Sequence, residues 1–141
     1  MLKDCALKYY DPKNDLSCSE TLLYAANEYY DLHLPPSMLK ASSAFGAGMY
    51  YDEVCGACSS CVAVIGTLLS NGSAHKSDDM RSAVKEMMSR FHEELHDHYC
   101  GRLKERYQTE EKRCEKMIVT AADLLEDILR KYGRTSGRID S

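Results

Sequence analysis

With 141 residues, 44% of them hydrophobic, the chain fits one compact domain able to bury a continuous core. Lysine and arginine number 18 against 22 aspartates and glutamates, a formal charge of −4, and no contiguous basic run could neutralise phosphates, which argues against nucleic acid as a partner. The start, Met1-Leu2-Lys3-Asp4-Cys5-Ala6-Leu7-Lys8, is interrupted by charge at once; it offers no apolar stretch for a signal peptide or a membrane span, so a cytoplasmic protein is expected. In a reducing cytosol, seven cysteines in a helical chain point to metal binding or thiol chemistry rather than permanent disulfides, and an odd count cannot all pair.

The hydrophobic period is helical almost throughout, which predicts an all-α, up-down bundle of four to five helices as a single domain over residues 1–133, followed by a disordered tail over 134–141. Asp11-Pro12-Lys13-Asn14-Asp15 reads as a turn. Ser17 and Glu20 form a capping-box pattern that opens a first long helix through about Asp31, with a stripe of Cys18, Leu22, Ala25 and Tyr29. Pro35-Pro36 breaks the chain, Ser37 can cap, and a short second helix carries Met38, Leu39, Ala41, Ala44 and Phe45 before Gly46 and Gly48 permit a sharp reversal. A third helix is expected from near Cys55 to Asn71-Gly72, with Cys55, Cys58, Val62, Ile65 and Leu69 on its stripe. Ser77, Asp78 and Asp79 open a fourth, carrying Met80, Val84, Met87, Phe91 and Leu95 and ending near Cys100-Gly101. Thr109, Glu110 and Glu111 begin a fifth, with Cys114, Ile118, Ala121, Leu125, Ile128 and Tyr132, which stops at Gly133.

Short connections make sequential helices antiparallel neighbours. Cys18, Cys55 and Cys114 then start three parallel helices, and Cys100 finishes the one that returns to the same end, so all four thiols are expected at one pole. A helix start has unpaired N–H groups and the positive end of the dipole, both of which favour a thiolate.

Cys18 ahead of an apolar helix, Gly46 and Gly48, Cys55-Gly56-Ala57, then Cys100 and Cys114 resemble the C_GCAxxG_C_C family of redox-active proteins over roughly Ala6 to Tyr132. The resemblance implies a redox role, with cysteines that hold a metal or cluster. The family's box would place glycine at position 60, where this chain has Ser60, and Cys5, Cys58 and Cys61 are extra to the pattern.

Cys55, Cys58 and Cys61 make a CxxCxxC run of the kind that wraps iron–sulfur clusters in ferredoxins. On a regular helix, however, Cys61 lies about 9 Å along and about 120° round from Cys55, so core packing is the better reading for Cys61. Cys55 and Cys58 stay on one side and could ligate together or form a redox disulfide. His92-Glu93-Glu94-Leu95-His96 matches the zinc-binding HExxH pattern, but the surrounding acidic residues suit an exposed helix face, and a small bundle offers no strand beside which to lay a peptide. If the helix continues, His92, His96 and Cys100 fall on one stripe, which makes His96 a further candidate ligand, with His98 a nearer spare. The ten tyrosines must supply much of the aromatic core, and Met80, Met87, Met88 and Met117 read as packing.

The sequence therefore points to a redox-active protein with cofactor- and metal-binding Cys18, Cys55, Cys100 and Cys114, extended by Cys58 or His96. Soft thiolates select an iron–sulfur cluster or zinc. The alternatives are a metal-free thiol–disulfide protein and a non-catalytic module stabilised by zinc or cysteine. A redox partner is expected, and the reading is compatible with a homo-oligomer.

Overall fold

The computed structural model describes residues 1–135, and the remainder of the expected tail lies outside the described residues. The described chain is all-helical, with seven α-helices where four or five were expected: α1 (Leu2–Tyr9), α2 (Cys18–Tyr29), α3 (Pro36–Ala41), α4 (Gly56–Leu69), α5 (Asp78–Leu95), α6 (Cys100–Tyr107) and α7 (Glu115–Lys131). Pairing outside helices is limited, among the described residues, to two isolated bridges, Val54 with Tyr99 and Thr109 with Arg113.

The central helix is α4, packed against α2, α5 and α7. Its Ala57, Cys58, Cys61, Val64 and Ile65 are all inaccessible to solvent. Around it lie Leu22 and Leu23 of α2, Met87, Phe91 and Leu95 of α5, and Ile118, Leu125 and Ile128 of α7. Small residues bring α4 close to α2: the buried Ser60 hydroxyl donates to the Ser19 carbonyl at 2.6 Å, so serine at this position satisfies itself on the neighbouring helix instead of leaving a buried orphan. Gly56 is tighter still, since a Cβ there would stand 2.9 Å from both Cys18 Sγ and the Phe45 carbonyl oxygen.

Helix α1 was not expected from the sequence. It lies across α2 and α7 and buries Leu2 and Ala6. The Leu2 amide and the Tyr29 hydroxyl donate to the two oxygens of the buried Glu126 carboxylate at 3.0 and 2.8 Å, which fastens the chain's start to α7.

Two boundaries also differ from expectation, each for a local reason. Helix α5 ends at Leu95 rather than near Cys100, because His96 turns left-handed (φ 64°) and Asp97 Oδ1 takes the backbone N–H groups of His98 and Tyr99 at 2.7 and 3.1 Å. Helix α7 starts at Glu115 rather than Thr109. Residues 109–113 form a closed turn in which Thr109 and Arg113 exchange backbone hydrogen bonds, and the Arg113 guanidinium, bonded to the Tyr10 carbonyl at 2.7 Å, lies over the Tyr10 ring at 3.9 Å.

Candidate four-cysteine centre

Four helices begin at a cysteine. Cys18 and Cys100 are the first residues of α2 and α6, and Cys55 and Cys114 are the residues that precede the first turns of α4 and α7. Cys100 is thus at a helix start, not at the finish of the preceding helix. All four line one cavity of about 210 Å³, together with Tyr10, Ala47, Leu103, Lys104, Gln108 and Arg113 among others.

Each cysteine is delivered there by identifiable local structure. For Cys18 it is the capping box: Glu20 Oε1 accepts the Ser17 amide at 3.1 Å and Ser17 Oγ accepts the Glu20 amide at 3.4 Å. Cys55 and Cys100 are set side by side by the Val54–Tyr99 bridge, in which the Cys55 amide donates to the His98 carbonyl at 2.9 Å and the Cys100 amide to the Glu53 carbonyl at 2.6 Å. The Cys114 amide donates to the Tyr10 hydroxyl at 3.1 Å. Between α3 and α4, Ala47, Gly48, Met49, Tyr50 and Asp52 all have positive φ, and Ala47 of this run lines the cavity. Gly48 is required there, because a Cβ would lie 2.6 Å from the Glu53 backbone and 2.8 Å from Cys100 Cβ.

The four thiols are electrostatically unequal. Cys18 is drawn down to about 7, chiefly because the Cys55 S–H donates to its sulfur; burial opposes this, and the backbone amides of Ala57, Ala47 and Ser19 assist. Cys55, as the donor, is pushed well above the ordinary thiol range, with burial and the Cys18 charge adding to that. Cys100 is raised by burial and by Cys18, Cys114 and Asp52, against the pull of Lys104. Burial, then the Cys18 charge, also raises Cys114, and Gln108, Lys104 and Tyr10 act the other way.

The other thiols are elsewhere. Cys58 and Cys61 are fully buried in the core; Cys58 Sγ lies 3.5 Å from Met88 Sδ and Cys61 donates to the Ala121 carbonyl at 3.6 Å. The CxxCxxC run therefore presents only Cys55 to the cavity. Cys5, half-buried, bonds to Glu28 of α2. His96 is exposed beyond the end of α5 and is not among the cavity's lining residues, so the stripe expected to join His92, His96 and Cys100 is broken. The HExxH pattern fails for the same reason, since its second histidine is off the helix.

Sequence reasoning missed Tyr10, Lys104, Gln108 and Arg113 as cavity residues. Arg113 stands next to Cys114 and could have been noticed on that ground, whereas Tyr10 is carried in by a helix the hydrophobic period did not reveal. Tyr50 and Tyr51, assigned to the core with the other tyrosines, are 71% and 80% exposed on the strained loop.

No helix among the described residues is long and apolar enough to cross a membrane. No curated protein and no solved structure matches the chain. Residues 16–128 match the family described as "Putative redox-active protein (C_GCAxxG_C_C)", an interval that begins just before Cys18 and takes in all four cavity cysteines. The chain belongs to the C_GCAxxG_C_C family.

Proposed function

We propose that the protein is a redox-active thiolate protein in which Cys18, Cys55, Cys100 and Cys114 hold a soft metal centre, iron–sulfur or zinc. The observation that carries this reading is the convergence of four cysteine-bearing helix starts on one cavity. Four thiolates around a divalent ion leave a net negative charge. Helix-start amides offset such a charge, and Lys104 and Arg113 at the cavity add to them. The donor set fits too, because four sulfurs favour zinc or iron–sulfur over harder ions. A bound cation would supply the charge needed to deprotonate the thiols that burial and mutual repulsion now hold up.

A second reading has its own support in the shared proton of Cys18 and Cys55. In it the Cys18 thiolate attacks one sulfur of a partner disulfide, whose S–S bond breaks and releases a thiolate. Cys55 then attacks Cys18 Sγ, passing its proton to the departing partner sulfur. Two electrons go from the pair to the partner, which leaves as one thiolate and one thiol, and a Cys18–Cys55 disulfide remains.

Anaerobic purification followed by iron, zinc and acid-labile sulfide analysis tests the first reading. Stoichiometric metal that disappears in Cys55→Ser and persists in Cys5→Ser is the expected result. A metal-free protein that forms a Cys18–Cys55 disulfide on oxidation would replace it with the second reading, and equal losses from both serine variants would defeat the site assignment.

A further inference from the structure

At the elbow between α5 and α6, three side chains that the thiol centre does not use come together. His92 lies on the last turns of α5. The chain then breaks at His96, and because Asp97 Oδ1 holds the His98 and Tyr99 amides, the His98 ring folds back toward α5. The His92 and His98 rings lie 5.1 Å apart with their Nδ1 atoms at 2.9 Å, and His98 is also supported by the Tyr99 ring at 4.3 Å. One nitrogen from each histidine and one Asp97 carboxylate oxygen all lie within 4.8 Å of one another.

We propose that His92, Asp97 and His98 form a second metal site, for a borderline divalent ion of the zinc class. Two imidazole nitrogens with one carboxylate favour zinc, nickel or copper over magnesium or calcium. The spacing suits such an ion. With metal–nitrogen bonds of about 2.0–2.1 Å, two nitrogens at right angles stand about 2.9 Å apart and two at the tetrahedral angle about 3.4 Å, so a small ring rotation covers either geometry. Asp97 is only 5% exposed, which pre-sets the carboxylate. Its competing cation is Arg102, 3.4 Å from Oδ2 on a side chain that is itself largely exposed and able to swing away. The histidines open onto a surface groove of about 390 Å³ with Met88, Ser89 and Glu93, which leaves room for water to complete the coordination. None of the three residues lines the cysteine cavity, so the two centres are chemically separate. What the sequence offered as HExxH is here rebuilt with His98 in place of His96.

The test is a Zn²⁺ titration of the full, reduced chain followed through its five histidines by long-range ¹H–¹⁵N NMR. The Nδ1 signals of His92 and His98 should move together to metal-bound positions while those of His33, His75 and His96 stay, and the same response should persist in Cys18→Ser/Cys114→Ser, where the thiol centre is crippled. His92→Ala, a change on an exposed helix face, should weaken the binding sensed at His98 by more than about tenfold, the least expected for losing a ligand when loss of a supporting partner alone costs that much. Stationary His92 and His98 signals, parallel movement of all five histidines, or an unchanged affinity at His98 in His92→Ala would each overturn the site.

Discussion

Removing the Cys55 thiol isolates the interaction that sets the reactivity of Cys18. Cys18 sits at about 7 against an ordinary value of 9.0, and the Cys55 S–H is the largest cause. At pH 7 that keeps about half of Cys18 as thiolate, whereas full return to the ordinary value would leave about one part in a hundred, a loss of about fiftyfold. The rate falls less than the population does. A thiolate of higher pKa is the better nucleophile, and with a Brønsted coefficient of about 0.45 a two-unit rise returns about eightfold. Cys55→Ala should therefore slow the reaction of Cys18 with a small disulfide reagent by up to about sixfold at pH 7, yet accelerate it above about pH 8, where the better nucleophilicity outweighs the smaller ionised fraction. The amides of Ser19, Ala47 and Ala57 remain in the variant and hold the shift below that ceiling. Quenched reactions read as adducts on the Cys18 peptide by mass spectrometry give the profile. Crossing of the two pH profiles is the signature, since a mere change in access would move the rate in one direction at every pH. Parallel or coincident profiles would refute the assignment of Cys55 as the controlling donor.

Two further outcomes concern the framework. Gly56→Ala forces a methyl against Cys18 Sγ and the Phe45 carbonyl and should cost about 1–3 kcal/mol in denaturant unfolding, whereas Gly66→Ala, whose Cβ meets nothing within 4 Å, should stabilise by about 0.5–1 kcal/mol through helix propensity. Stability should also decline in alkali: burial lifts Cys58 to about 12 and Cys61 well above its ordinary value, so the neutral thiols stabilise the fold fully below about pH 9, and that contribution is lost as pH rises toward 12. Unfolding midpoints measured from pH 8 upward check this, and Cys58→Ala should flatten the slope.

What was legible in the sequence is what local chemistry controls without help. The Ser17–Glu20 box, the start of α4 after Cys55 and the apolar stripe Ile118, Ala121, Leu125 and Ile128 all stand in the structure as the residues suggest. Helix α1 escaped notice because its buried face is only Leu2 and Ala6, and its polar partners are distant in sequence, Glu126 for Leu2 and Glu28 for Lys8 and Tyr9. Tyr50 and Tyr51 were misjudged because aromatic content alone does not reveal a left-handed loop.

The misplaced boundaries matter most, for they bear directly on the cavity. A continuous α5 would have delivered Cys100 at a helix end, where carbonyls face the sulfur and the dipole opposes a thiolate. Asp97 prevents this by capturing two amides as soon as the helix stops, so the chain re-enters a helix at Cys100 and that sulfur stands at the helix's start. Arg113 acts alike at the next junction: seated on Tyr10, it closes the turn so that α7 begins just after Cys114 rather than at Thr109. These two junctions thus set Cys100 and Cys114 at helix starts, as Cys18 and Cys55 already are. The same Asp97 also orders His98 against His92, so one buried carboxylate shapes the cysteine cavity on one side of the elbow and the histidine cluster on the other.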